Sequence, residues 1–505
     1  MFVMTLGMKT YTRRRDRGRR PEFRPLRYSR YPAIFLIFAG CSHALPTIGG
    51  APSTPPVREE PWRVPAGVVP AEPLPDPTVA AVLDTARAAG PLVLGQVVDL
   101  ALRSNPLTQL SWAQARAGAA QFGAANAALL PTVDATSNVV RTQTTSQTGS
   151  SLRSVITPTA NLSYLLLDFG GRSGNIAAAR AAAVALDLTH NATLQDVALQ
   201  AEASYFNYQA TRSLLEAARL ALAEADTNLV SAQQRNRAGV ATISDVLQAE
   251  VLRAQAQLDL ETAQGNEFSA RGTLAVAMGL PANGRFELAP VNDSMPVAVT
   301  AAGVDTLIDR ALALRPDLAA VRVQIQQAQA EVRIAKSAER PSILLGANVG
   351  KTFSNVNNFA GLNYGITLGV QIPIFNLARN YNVTAAEAQV EAANARASLL
   401  RVQVGQQVYT AYYQLQTATQ RVRTSDVLLS SATRNEVAAR ARYRAGVGTI
   451  VDLITAQTAL ANARAQQAQS RWVWATALAQ LSHDVGVLGP RGQTLPLGDS
   501  TGVRR

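Results

Sequence analysis

The run Gly346-Ala347-Asn348-Val349-Gly350-Lys351-Thr352 comes nearest in this chain to a phosphate-binding loop, in which backbone N–H groups and a lysine cradle a nucleotide's phosphates. That chemistry needs four residues between the glycines and a helix directly after the lysine. Here three residues separate them, Leu345 stands at the first glycine position, and the run alternates as a strand does. His43, His190 and His483 are scattered without metal-ligand spacing, and no Ser/His/Asp set can be assembled. Cys41 is the only cysteine, so neither an internal disulfide nor a zinc ribbon can form. The expectation is a chain without cofactor or metal site and without enzymatic activity. Asp245 and Asp452 remain as notable carboxylates. Both fall in the first turn of a helix, where the macrodipole alone favours an acid.

Those two aspartates sit in a repeated passage. Arg237-Ala238-Gly239-Val240-Ala241-Thr242-Ile243-Ser244-Asp245 returns 207 residues later as Arg444-Ala445-Gly446-Val447-Gly448-Thr449-Ile450-Val451-Asp452. Other landmarks keep step: Asn105-Pro106 with Arg315-Pro316, Pro131 with Pro341, Phe169 with Phe375. One structural unit is therefore used twice. The expected order is a first repeat at 92–284, a linker at 285–303, a second repeat at 304–488 and a tail at 489–505.

Residues 172–237 hold no proline and only Gly174, and 377–444 are interrupted only by Gly405. At ~1.5 Å per residue each stretch makes a helix of roughly 100 Å, far more than a compact core uses. Apolar residues recur every seven positions, at Tyr208, Leu215, Leu222 and Leu229 and again at Val408, Leu415, Val422 and Leu429, as in a coiled-coil seam. Shorter helices are expected to return over 244–279 and 450–485, after caps at Gly239 and Gly446. Helices over 96–129 and 304–339 open the two copies, each broken by Pro106 or Pro316. Between these helices the period becomes two. Leu362, Tyr364, Ile366, Leu368, Val370 and Ile372 alternate with polar and glycine residues, and strands are expected at about 132–145, 155–168, 342–354 and 361–374. Twelve such residues, tilted, cover about 30 Å, the thickness of a bilayer's hydrocarbon. Four strands cannot close a barrel, and open edges are forbidden in lipid, so several chains would have to share one.

The net charge of +12 suggests nucleic acid, but ten basic residues against Asp16 and Glu22 put +8 of it in residues 1–30. No basic stripe interleaved with aromatics remains, which excludes nucleic-acid binding as the reading. The basic start, the short apolar run Ala33–Gly40 and Cys41 have the layout of an export signal over 1–40. Ala39-Gly40-Cys41 resembles a lipobox, which makes Cys41 a candidate lipid anchor; the alternative is a plain signal with an incidental cysteine. Residues 41–91, rich in Pro and Ala, read as a tether.

On the order and lengths of these elements, and above all on Tyr443-Arg444-Ala445-Gly446-Val447-Gly448-Thr449-Ile450-Val451-Asp452, the chain resembles the outer-membrane channel family of TolC and OprM. The resemblance implies a mainly α fold with a transmembrane β-barrel: a homotrimer of internally duplicated protomers, sharing a 12-stranded barrel above a helical tunnel that crosses the periplasm. It implies an efflux channel in the outer membrane, in contact with outer-membrane lipid. Its partners would be a periplasmic adaptor and an inner-membrane pump. The cargo would be small molecules or, alternatively, proteins leaving by type I secretion. Residue by residue, Asp452 matches an aspartate ring at the closed aperture, and the family's second aspartate falls at Thr455. Tyr443 matches a tyrosine latched to an aspartate that falls at Asp245. A latch arginine falls at Gly448, leaving that restraint absent or shifted to Arg444. Gly239, Val240, Gly446 and Val447 match the grooves where adaptor tips dock. Two other readings are a periplasmic adaptor, which would carry one hairpin flanked by a compact β domain, and a structural coiled-coil protein, which would not need paired strand hairpins.

Overall fold

The computed structural model describes residues 47–48, 51–52, 90–147, 149–289, 303–356 and 359–488. The export signal, Cys41 and the C-terminal tail lie outside them. Within the expected tether, Thr47–Ile48 and Ala51–Pro52 pair as a short antiparallel ladder.

Each repeat opens with a broken helix. α1 (Leu94–Ser104) stops at Asn105 and α2 (Pro106–Ala127) starts at once. In the second copy α5 (Val304–Leu314) stops at Arg315 and α6 (Pro316–Ser337) follows. Asn105 and Arg315 are both extended, at ψ 128° and 124°, because the proline ring clashes with a helical residue before it. Both then reach to the far end of their own repeat. Asn105 Nδ2 donates to Ala277 O at 3.1 Å and Arg315 Nη1 to Asp484 O at 3.4 Å, acceptors that are 207 residues apart.

α3 (Gly171–Arg237) and α7 (Leu377–Arg444) are the long helices, with 67 and 68 residues, and α4 (Ile243–Ala277) and α8 (Ile450–Asp484) return along them. α3 packs on α2, α4, α6 and α8, while α7 packs on α6 and α8. Along α7 the buried residues Val404, Val408, Ala411, Leu415, Ala418 and Val422 alternate spacings of four and three, the knobs of a coiled-coil seam. Along α3 the seam departs from expectation. Tyr208 and Leu215 are buried, but further down Ala225, Asn228 and Ala232 are buried in place of Leu222 and Leu229, which are only half-buried. Ala232 packs there against Val246 and Ala249 of α4, and Asn228 Nδ2 donates to Gln457 Oε1 of α8.

The largest core lies where α1 and α5 cross the long helices, around Val97, Val98, Leu274, Met278, Leu307, Val408 and Trp474. Glu202 of α3 is 1 % exposed, and its Oε1 has no hydrogen-bond partner among the described residues. Burial pushes its carboxyl up from 4.5 to about 7. A carboxyl raised on folding favours the folded state in full below the unfolded value, and that contribution is lost as pH rises through the folded value. The difference between the two values corresponds to about 3 kcal/mol. Glu202→Gln is therefore expected to raise the melting temperature of the detergent-solubilised protein at pH 8 and leave it unchanged near pH 4. An equal change at both would show that the buried charge is not the cause.

His190 and His483, the histidines among the described residues, take structural parts. His190 Nδ1 contacts Ser111 Oγ at 2.8 Å, and His483 bridges Asp196 and Asp484 at 2.8 and 3.0 Å.

β1 (Thr132–Ser146), β2 (Gly149–Leu167), β3 (Ser342–Ser354) and β4 (Phe359–Gln371) form one antiparallel sheet in that order, so β2 and β3 join the two copies. β2 begins at Gly149, earlier than expected, because the polar run up to Ser154 pairs with β1 as far as Ser146↔Gly149. The phosphate-loop candidate lies inside β3, where a side chain on Gly350 would stand 2.7 Å from Pro158 O. That glycine serves strand packing. β1 and β4 each leave one edge unpaired among the described residues, and β4 exposes Leu362, Tyr364, Ile366, Leu368 and Val370. No helix among the described residues is long and apolar enough to cross a membrane.

Candidate functional site

The site is the pair of turns where α3 meets α4 and α7 meets α8. Each long helix ends on a glycine in the left-handed region, Gly239 at φ 72° and Gly446 at φ 75°. The next N–H closes the cap: Val240 donates to Arg235 O at 3.0 Å and Val447 to Arg442 O at 3.1 Å. A threonine then starts each return helix with a capping box. Thr242 N donates to Asp245 Oδ2 at 2.9 Å, and Thr449 N donates to Asp452 Oδ2 at 3.1 Å. The repeated residues are therefore those that fold two helix ends and two helix starts.

Asp452 is occupied as a cap yet exposed, with Thr449 Oγ1 donating to it at 2.7 Å. The hydrogen bonds from the Thr449 side chain and backbone hold its carboxyl below the ordinary value. Thr455, one turn on, and Arg444 are exposed as well, and Arg444 makes no hydrogen bond or ion pair among the described residues. A side chain at Gly448 would meet Arg442 Cβ at 3.1 Å, so the turn is tight there. Val240 and Val447 stand 65 % and 76 % exposed beside glycines that face open space.

The two copies diverge in packing where Asn236 stands against Tyr443. Asn236 closes its own turn, donating from Nδ2 to Ala241 O at 3.0 Å, whereas its counterpart Tyr443 is buried against Ile450 and Leu453. The Tyr443 hydroxyl has no hydrogen-bond partner among the described residues. Its pKa is raised, first by burial and further by the nearby Asp245 charge, which the flanking Arg235 offsets in part. Tyr443 and Asp245 are thus neighbours without a bond.

What joins the tips is Arg235, a residue the sequence did not single out. Its Nη1 donates to Tyr443 O at 2.9 Å, and its guanidinium lies 4.6 Å from the centre of the Tyr443 ring. The arginine comes from the first copy and not from position 444. Behind it, Arg464–Glu224 and Arg253–Asp226 continue the polar seam between the helices.

The chain matches the family described as "Outer membrane efflux protein" over residues 97–280 and 307–487. It is 27 % identical over 377 residues to Protein CyaE of Bordetella pertussis, covering 74 % of this chain and 79 % of that one. It is 29 % identical over 305 residues to the pyoverdine export outer membrane protein OpmQ of Pseudomonas aeruginosa, covering 58 % and 63 %. In fold it resembles the Campylobacter jejuni CmeC outer membrane channel, with a TM-score of 0.69 at 19 % identity over 78 % of this chain and 85 % of that one. Two capped helical hairpins, a four-stranded sheet and a family match over both repeats together show that this chain belongs to the outer membrane efflux protein family.

Proposed function

We propose that three copies of this chain form the outer-membrane duct of a tripartite pump that exports small molecules. The observation that carries it is the sheet: four strands with two open edges and an apolar outer strand, which closes in lipid only by joining copies of itself. The OpmQ relative, named for pyoverdine export, favours a small-molecule cargo. Gly239, Val240, Gly446 and Val447 are the docking points for a periplasmic adaptor that links the duct to an inner-membrane pump. Asp452, with Thr455 beside it, lines the aperture of the trimer. Tyr443, Asp245 and Arg444 complete the gate, and Cys41 carries the lipid anchor.

Prolines placed in β4 test the closure. Successive N–H groups of a strand point to opposite sides, so on a free edge one of Ile366→Pro and Thr367→Pro would be tolerated. In a shared barrel neither is, and both are expected to abolish the heat-resistant trimer. One variant that keeps its trimer would sink the shared barrel. For the cargo, a strain lacking the chain should accumulate a fluorescent apolar dye while its secreted proteins are unchanged. The reverse result would favour a protein-secretion duct.

The aperture makes a second prediction. Three Asp452 carboxylates brought together attract cations, and the Thr449 hydrogen bonds that favour the charged form in one chain are opposed in the ring by the carboxylates' mutual repulsion. Asp452→Ala is expected to reduce cation selectivity in single-channel recordings. An unchanged reversal potential in the variant would leave Asp452 as a helix cap alone.

A further inference from the structure

Toward the tips, the four longest helices form a row. α4 packs on α3, α3 on α8 and α8 on α7, so α4 and α7 stand at its ends. The outer side of α4 carries a second seam. Contact with α3 buries Val246 and Ala249 against Ala232. On the opposite face Leu247, Val251, Ala254, Leu258, Glu261 and Gly265 follow one another at alternating spacings of four and three. Leu247, Val251 and Leu258 are each more than half exposed. An apolar coiled-coil stripe left in water is incomplete without a facing helix. α7 has a counterpart. α8 buries Ala432 on one side of it, and Gln420, Arg423, Val427, Ser430, Arg434 and Val437 keep the same alternation on the other. Val427 and Val437 are also more than half exposed.

The two helices are opposite in charge. α4 holds five acidic residues against Arg253 and Arg271, whereas α7 holds nine arginines against four acids. Arg423 and Arg434 make no hydrogen bond or ion pair among the described residues. The acids nearest them in sequence are engaged elsewhere. Asp426 accepts from Gln467 of α8 at 3.0 Å and pairs with Arg471, and Glu436 is buried in its pair with Arg440. On α4, Glu250 has no partner among the described residues, and Glu261 accepts only from Gln257 of its own helix, at 3.0 Å. The levels agree as well. Arg253 meets Asp226 of α3 at 2.7 Å, and the counterpart of Asp226 in α7 is Thr433. Counted from that level along antiparallel helices, Leu258 falls beside Val427, Glu261 beside Arg423 and Glu250 beside Arg434, each to within about one turn.

We infer that α7 of one copy docks on the free stripe of α4 of the next, in a register set by Glu261 against Arg423 and Glu250 against Arg434. The inference rests on the proposal that copies of the chain share one duct, and it adds which surfaces join and what aligns them. Pairing α4 with α4 would bring acids together, and pairing α7 with α7 would bring arginines together. The unlike pair alone sets opposite charges face to face. It is also a head-to-tail contact, the kind that can close into a ring.

Paired cysteines test the register in outer membranes from cells making the full chain. Under mild oxidation, Leu258→Cys with Val427→Cys should join the copies covalently, so that boiling in SDS separates them only with reductant. Neither single variant should do so, nor should Leu258→Cys with Val402→Cys, which lies far from that level. Charge exchange is the second arm. Arg423→Glu should lower the temperature at which the assembly separates, and adding Glu261→Arg should restore it. If Arg423→Glu never reaches the membrane, the cysteine pair decides alone. A heat-resistant assembly without the cross-link, an equal cross-link in Leu258→Cys alone, or no recovery in the exchanged pair would overturn the seam and leave the shared duct standing. A chain that forms no heat-resistant assembly would remove both.

Discussion

Replacing Arg235 by alanine is expected to shift reconstituted channels toward a larger and longer-lived conducting state. The guanidinium makes the bond that joins the first tip to the second, by a 2.9 Å hydrogen bond to Tyr443 O and by its position over the Tyr443 ring. A hydrogen bond from a charged donor contributes about 1.5–3 kcal/mol, and a partly desolvated cation over an aromatic ring about 1 more. If the tips separate when the tunnel opens, ~2–4 kcal/mol in each chain opposes that separation, and every 1.4 kcal/mol removed changes the balance about tenfold. Arg235→Lys keeps the charge but loses the planar fork, so its conductance should fall between wild type and alanine. Tyr443→Phe should change little, because the contacts use the ring and the carbonyl while the hydroxyl has no partner among the described residues. Single-channel recordings of the three variants provide the check. Wild-type conductance in the alanine variant would mean that the clasp only stiffens the helices and does not hold the tunnel shut.

The reach of the sequence differs between features for physical reasons. The repeated turn was legible because a left-handed cap and a capping box demand particular residues, and Gly239, Gly446, Thr242 and Thr449 meet that demand locally. The long helices were legible because proline is absent from them, and the break at Asn105 because proline follows it. The Arg235–Tyr443 clasp was not, since its partners stand 208 residues apart and neither position breaks a local pattern. The same holds for Asn228 and Gln457, 229 residues apart. On α3, heptad counting favoured Leu222 and Leu229, but close helix approach selected Ala225, Asn228 and Ala232, and a hydropathy pattern does not register small size. Glu202 reads as an ordinary polar helix position and becomes buried only when tertiary packing covers it. The early start of β2 was hidden because its first residues are polar on both faces, which leaves no alternation to see.

Gly279→Ala should be among the most damaging single-methyl changes in the chain, and two glycines of like backbone conformation provide its internal control. Gly279, Gly446 and Gly486 have φ of 76°, 75° and 81°, so alanine at any of them meets the same left-handed strain, about 1–2 kcal/mol. Their surroundings differ. A Cβ on Gly446 meets open space, while one on Gly486 meets Arg315 backbone atoms and Cγ at 3.2 Å, a contact that a small shift relieves. On Gly279 it would stand 2.4 Å from Ser104 O and 2.8 Å from Asn105 N. These are backbone atoms where α1 gives way to α2, and Asn105 is held there by its bond to Ala277 O. The clash cannot be relieved by a side-chain rotation, so it adds an overpacking cost of about 1–3 kcal/mol to the strain. In chemical denaturation the expected loss of stability rises from Gly446→Ala, at about 1–2 kcal/mol, through Gly486→Ala to Gly279→Ala, at about 2–5 kcal/mol. That last cost comes near the whole stability of many domains, so the heat-resistant assembly should disappear with it. A Gly279 variant no less stable than the Gly446 variant would show that α1 moves aside freely, and would remove the strap from the elements that fix the helices.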